Sequence, residues 1–225
     1  IGSMVAARVH DGATLQAGIG AVPDAALRSL TTRRGLRVWT EMFSDGVLNL
    51  DERGCLSTEL PLTASFIFGS QKLYDWLDHN QRVRMMRTEI VNDPARIAKQ
   101  RIMTSVNGAL QVDLSAQANA SRIKGRIYSG FGGSTDFIVG ALHSSGGRSF
   151  MALPSWHPKA NASTIVPELD GPATSFQQSA VVTEQGIAWL FGGSEREQAE
   201  QLIESAAHPR ARESLREALK EMQLN

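Results

Sequence analysis

Glu41 closes the run Leu36-Arg37-Val38-Trp39-Thr40-Glu41, which places a carboxylate where a strand is expected to end. In open α/β sheets ligands gather outside the carboxyl ends of strands, so an acid there can meet a substrate. Met42-Phe43-Ser44-Asp45-Gly46 follows, and its apolar pair suggests a packed loop that holds Glu41 in place. From position alone, a solvated loop acid is the commoner reading. Val181-Val182-Thr183-Glu184 repeats the strand-Thr-Glu arrangement, which makes Glu184 a competing candidate. Gln185-Gly186-Ile187-Ala188 after it reads as a helix start, where an acid would merely serve the dipole. Two glycine-rich turns, Gly18-Ile19-Gly20-Ala21-Val22 and Ser129-Gly130-Phe131-Gly132-Gly133-Ser134, can offer backbone N–H groups to an anion. Each alone is a common turn; together with a strand-end glutamate they supply the nucleophile and oxyanion donors that acyl transfer needs.

These residues need elements to place them. Short β-like runs alternate with helical patterns, which predicts an α/β fold with an open, mostly parallel sheet flanked by helices. Strands are expected at 13–17, 36–40, 64–68, 150–153 and 180–183. Ile102–Val106 and Leu110–Leu114 read as a hairpin about Asn107-Gly108. Pro23 suits the first position of a helix carrying Leu27 and Leu30. Further helices are expected at 72–77 and 135–142. Ser194 with Glu197 spells a capping box, and Pro209 opens a last helix bearing Leu215, Ala218, Leu219 and Met222. No linker or repeat interrupts residues 1–225, so one domain is expected.

Composition removes several function classes. Lys+Arg and Asp+Glu both number 23, so the net charge is zero and the basic footprint of a nucleic-acid binder is missing. No apolar run is long enough to suggest a membrane span, and one cysteine, Cys55, suits a reducing cytoplasm. The five histidines lack ligand spacing, so no metal is expected. Gly18-Ile19-Gly20 fails as a dinucleotide loop because Pro23 stands where its third glycine belongs. There is no Walker A loop and no Gly-x-Ser-x-Gly elbow. Cys55 has no base near it in sequence and reads as an incidental buried thiol. What remains is chemistry run by carboxylates and backbone amides.

Seven blocks, in order, resemble the acetyl-CoA hydrolase/transferase family, which includes 4-hydroxybutyrate, acetate and succinate CoA-transferases. They are Leu15 to Ala25 (LQAGIGAVPDA), Thr40 to Gly46 (TEMFSDG), Val91 to Pro94 (VNDP) and Val106 to Asp113 (VNGALQVD). Ser129 to Phe137 (SGFGGSTDF), Val182 to Ala188 (VTEQGIA) and Ala206 to Pro209 (AAHP) complete the series. The resemblance covers essentially the whole chain and matches only the C-terminal half of the family. That fits the start at Ile1-Gly2-Ser3-Met4, which reads as a tag remnant or a cut in a longer chain.

The resemblance implies a CoA-transferase domain of the NagB/RpiA-like kind, working with the N-terminal half of the same enzyme, in a homodimer. It implies Glu41 as the covalent nucleophile, acyl-CoA and a small carboxylate as substrates, and no cofactor, coenzyme A itself being a substrate. It implies oxyanion donors among the backbone amides near Val22 and in Gly130-Phe131-Gly132-Gly133, with Asn92 near the thioester. An acyl-CoA hydrolase using the same glutamate and a non-catalytic CoA-binding or assembly half are the rival readings. Trp39 stands where many members carry a small residue or histidine, and Trp189 and Phe191 replace an Asp and an Arg. These changes are expected to reshape the acyl pocket or a subunit contact.

Overall fold

The computed structural model describes residues 1–130, 132–171, 173, 177–222 and 224. The chain forms two compact units that exchange segments along the sequence. Gly2–Asn107 with Gly133–Ser149 makes the first; Ile1, Gly108–Gly132 and Phe150–Asn225 make the second.

The first unit is a parallel sheet of β1 (Thr14–Ala17), β2 (Arg37–Phe43), β3 (Leu62–Ile67), β4 (Val83–Met85) and β5 (Met103–Gly108), in the order β5-β1-β2-β3-β4. Its helices are α1 (Gly2–Ala6), α2 (Ala21–Arg28), α3 (Asp45–Glu52), α4 (Gln71–Leu77), α5 (Thr88–Val91), α6 (Pro94–Ile97) and α7 (Ser134–His143). This is the open, mostly parallel sheet with flanking helices that the alternating pattern predicts. On one face Leu15, Val38 and Leu62 pack with Leu27 of α2 and Val47 and Leu50 of α3. On the other, Trp39 packs with Val91, Ile97, Met103, Phe137 and Ala141. Neighbouring residues in a strand face opposite ways, so Trp39 and Glu41 share the second face.

The second unit holds β6 (Gln111–Asp113), β7 (Ala118–Asn119), β8 (Arg122–Ile123) and β9 (Arg126–Ile127). It continues with β10 (Arg148–Ala152), β11 (Trp156–His157), β12 (Ala162–Ser163), β13 (Ile165–Val166), β14 (Ala180–Val182) and β15 (Ile187–Trp189). Strand β10 pairs parallel with β14, which pairs antiparallel with β15. Helix α8 (Glu195–Gln201) opens with the expected capping box of Ser194 and Glu197. A π turn over Leu202–Ala206 and a short 3-10 turn at Pro209–Ala211 lead to α9 (Arg212–Glu221), which buries Leu215 and Leu219.

Four expectations need correction. Strand β2 does not stop before Glu41 but runs to Phe43, because β3 continues beside it through the pairs Met42↔Phe66 and Phe43↔Ile67. Ser44 then caps α3, its Oγ accepting from the Gly46 N–H at 3.3 Å, so a helix stands where a loop is expected. Helix α2 begins at Ala21, leaving Pro23 as its third residue, still within the turn that needs no N–H donor. Asn107-Gly108 makes no hairpin: β5 lies parallel to β1, whereas β6 pairs with β13 and β7. The Asn107 side chain is spent in a buried network, accepting from Gln16 Nε2 at 3.0 Å and donating to Ser105 Oγ at 2.9 Å. That network outweighs the local turn preference.

The seating of α7 on α6 fixes where α7 begins, and with it the position of Gly133. Gly140 lets the helices meet: a Cβ there would lie 2.4 Å from Ile97 Cγ2 and 3.3 Å from the Pro94 carbonyl oxygen. Ile97 is fully buried and cannot swing into solvent. Gly140→Ala is therefore expected to cost about 1–3 kcal/mol through overpacking. A lower melting temperature in thermal denaturation checks this, and an unchanged one would show that the helices part freely.

Candidate active site

Glu41 lies on the second face of β2, near its carboxyl end, and is partly buried. Both of its oxygens are held. Asn92 Nδ2 donates to Oε1 at 3.1 Å, and the Gly133 N–H donates to Oε2 at 2.9 Å. Both donors are neutral, and Glu41 makes no salt bridge among the described residues. A carboxylate held this way keeps its charge satisfied without a tight ion pair.

Each donor is placed by its own element. Asn92 is the C-cap of α5. Trp39, two residues before Glu41, donates its indole N–H to the Val91 carbonyl at 2.8 Å and so ties that end of α5 to β2. The tryptophan read from sequence as reshaping a pocket is thus part of the scaffold beside Asn92. Gly133 is the N-cap of α7, whose dipole adds positive potential at the carboxylate. A Cβ at Gly133 would lie 2.2 Å from Asn92 Nδ2 and 2.9 Å from Glu41 Oε2, so any other residue there would displace both side chains from this arrangement. Asp136 stands in the first turn of α7. Burial, and after it the nearby Glu41, pushes the Asp136 carboxyl above its usual value, and the Asn92 amide offsets part of that rise.

Glu41, Asn92 and Gly133 are therefore brought together as the sequence suggests. Val22 sits in the first turn of α2, and among the described residues no hydrogen bond joins it to Glu41. Gly130 and Gly132 are exposed residues of the second unit, and Phe131 lies outside the described residues. Sequence reasoning does not single out Asp136, though an acid three residues beyond a Gly-Gly helix start is a visible sign. No group of three or more His, Cys, Asp or Glu side chains among the described residues is placed to hold a metal. No helix among them is long and apolar enough to cross a membrane.

Glu184 has a different setting. It opens no helix: the Thr183 N–H donates to the Gly186 carbonyl at 3.0 Å, closing a turn into β15. The apolar pair Val181↔Ala188 favours that pairing over the helix expected from sequence. Its carboxylate accepts from the Ser155 N–H at 2.9 Å and from the Ser155 hydroxyl, pinning the segment after β10.

The model of the acetyl-CoA hydrolase/transferase C-terminal domain matches residues 69–219. The chain belongs to the acetyl-CoA hydrolase/transferase family. It is 42% identical, over 97% of its length, to the succinyl-CoA:acetate/propanoyl-CoA:succinate CoA transferase of Fasciola hepatica, of which it covers 48%. It is 40% identical, over 96% of its length, to the 4-hydroxybutyrate coenzyme A transferase of Clostridium kluyveri, of which it covers 52%. The crystal structure of RipA from Yersinia pestis superposes with a TM-score of 0.93 at 36% identity, over 99% of this chain and 52% of that one. The chain thus spans about half the length of the relatives it matches.

The two glutamates separate in a stability measurement. Burial alone would raise the Glu184 carboxyl, but its hydrogen bonds from Ser155, and the lesser ones of Gln185 and its own backbone, bring it below the usual value. A depressed folded pKa contributes stability that is present above the unfolded value and lost as pH falls through the folded one. Glu184→Gln should therefore cost about 0.5–1 kcal/mol at neutral pH, the worth of charge-assisted hydrogen bonds discounted for exposure. In thermal melts the deficit should shrink as the carboxylate range is crossed downward. A deficit that ignores pH would remove this electrostatic account.

Proposed function

We propose that this chain is the C-terminal half of a cytoplasmic CoA-transferase in which Glu41 is the covalent nucleophile, exchanging CoA between an acyl thioester and a short carboxylate. The observation that carries this is the pair of neutral N–H donors, from Asn92 and Gly133, on the two oxygens of a strand-borne glutamate. One Glu41 oxygen attacks the thioester carbonyl; the carbon–sulfur bond breaks, leaving an acyl-glutamyl anhydride and CoA thiolate. The thiolate attacks the Glu41 carbonyl carbon, and the donor acid leaves as its carboxylate, giving a glutamyl-CoA thioester. A second carboxylate runs these steps backward and departs as the new acyl-CoA. Splitting the exchange in this way replaces one hard step with easier ones.

The two donors have a second task in that sequence. When the thiolate attacks the Glu41 carbonyl, that oxygen becomes an oxyanion within reach of the N–H groups that already bound it as carboxylate. Donors fixed in advance cost no reorganisation at that moment, and one is worth about 2.7–4 kcal/mol in related acyl chemistry. The names of the Fasciola and Clostridium relatives support transfer. The family also covers hydrolysis, in which water would resolve the same thioester.

The test uses the complete enzyme, this chain joined to an N-terminal half. Acyl-CoA loss should depend on added acetate or a similar acid; equal loss without it would favour the hydrolase. Glu41→Gln should abolish exchange with little change in melting temperature, since the amide is nearly isosteric but cannot form the anhydride. Glu41→Asp should lose on the order of a hundredfold, because withdrawing the carboxylate by about 1 Å spoils attack geometry. Borohydride trapping should reduce a glutamyl thioester in the Glu41 peptide. Finding it in the Glu184 peptide would overturn the assignment.

A further inference from the structure

Three buried polar side chains cluster toward the carboxyl ends of β1 and β5, on the face of the sheet that carries Glu41: Gln16, Ser105 and Asn107. Gln16 Nε2 donates to Asn107 Oδ1 at 3.0 Å, and Asn107 Nδ2 donates to Ser105 Oγ at 2.9 Å and to Gln16 Oε1 at 3.3 Å. The Ser105 hydroxyl donates to Gln16 Oε1 and closes the ring. Each member gives and accepts, and a buried network satisfied in this way rigidifies its surroundings. Its position is set by strand register. Leu15 pairs with Val38, and Ala17 lines one small cavity with Thr40, so the next residues, Gly18 and Glu41, stand level on β1 and β2. Ala17 also pairs with Val106, and the Gly18 N–H continues that ladder to the Val106 carbonyl at 2.8 Å, which sets Gly18 level with Asn107. Neighbouring strands lie about 4.8 Å apart, so Gly18 separates the nucleophile from the network by a single strand. A Cβ at Gly18 would lie 3.1 Å from Asn107 Oδ1. The Asn107 amide thus occupies the place a side chain at position 18 would take.

We propose that Gln16, Ser105 and Asn107 are positioning residues, which together fix the Gly18 backbone beside Glu41 and keep the space next to the nucleophile free of a side chain. The network touches no reacting atom in the exchange; it acts through the end of β1, where the chain leaves the sheet for α2. Without the Asn107 amide the end of β1 loses the group it rests against, and the wall beside Glu41 can shift. This deepens the role given to Glu41 and rests on that reading.

A double-mutant cycle in the complete enzyme tests it, read as the single-turnover rate at which the Glu41 peptide acquires the borohydride-reducible thioester at saturating acyl-CoA. Gly18→Ala should slow labelling about three- to tenfold, because its methyl must push the Asn107 amide, and with it the end of β1, by a few tenths of an ångström. Asn107→Ala should slow it about tenfold by releasing the same backbone. In the Asn107→Ala background Gly18→Ala should cost about twofold or less, since the methyl no longer meets an amide and residues acting through one contact are not additive. Ser105→Ala, which removes one hydroxyl and leaves both amides, should slow labelling less and should also lower the cost of Gly18→Ala, so the test stays decisive if Asn107→Ala folds poorly. An equal cost of Gly18→Ala in every background, or lowered melting temperatures with unchanged labelling, would reduce the network to core packing and overturn the proposal. Turnover of the unsubstituted enzyme without any label on Glu41 would instead overturn the covalent reading, and this inference with it. Label on Glu41 that ignores Gly18, Ser105 and Asn107 would sink the inference alone.

Discussion

A partly buried carboxylate with no cationic partner among the described residues must find its hydrogen bonds elsewhere, and the first unit meets that demand at Glu41. An arginine or lysine would satisfy the charge by holding it in a tight pair. Neutral N–H donors from Asn92 and Gly133 orient both oxygens without such a pair. Such donors are short, so their backbones must come close. That requirement suits glycine at position 133 and has α5 end and α7 begin beside β2.

Three separate stretches of sequence meet at this point, and distinct contacts fix each. β2 is held in register by β3 on one side and β1 on the other. The C-terminal end of α5 is tied to β2 by the Trp39 indole. Helix α7 is seated on α6 by the Gly140–Ile97 approach, with Phe137 and Ala141 buried in the same cluster. Rigid packing of this kind is what lets a hydrogen bond of about 3 Å survive thermal motion, and loosening any of the three should spread the geometry. The second unit uses its own glutamate differently. Glu184 joins the turn after β14 to the segment after β10 through Ser155, whose N–H and hydroxyl each hold one of its oxygens; at Glu41 the two donors come from two separate elements instead.

Much of this is legible in the sequence, for identifiable reasons. The parallel sheet follows from alternating strand and helix patterns, and the Ser194–Glu197 cap from a local rule that needs no tertiary partner. Glu41, Asn92 and Gly133 can each be picked out, but their meeting rests on contacts more than fifty residues apart in sequence and is implied only by family resemblance. The misreadings have physical causes. Asn107-Gly108 has turn chemistry, yet Gln16 and Ser105 recruit its asparagine into a buried network. Gln185–Ala188 has helix-like composition, yet pairing with β14 decides its conformation. Asp136 does not stand out because an acid in a first helical turn is ordinary.

The central claim is that Glu41 exchanges an oxygen with the acceptor acid at every turnover. When an acceptor carboxylate attacks the glutamyl-CoA thioester, the anhydride it forms is opened at the acceptor's own carbonyl. One acceptor oxygen therefore stays on Glu41. The most direct measurement is to turn over the complete enzyme with acyl-CoA and oxygen-18 acetate, then weigh its peptides by mass spectrometry. The account predicts heavy oxygen in the Glu41 peptide alone, appearing only when acyl-CoA is present. Labelled acetyl-CoA formed while the Glu41 peptide stays light would contradict it.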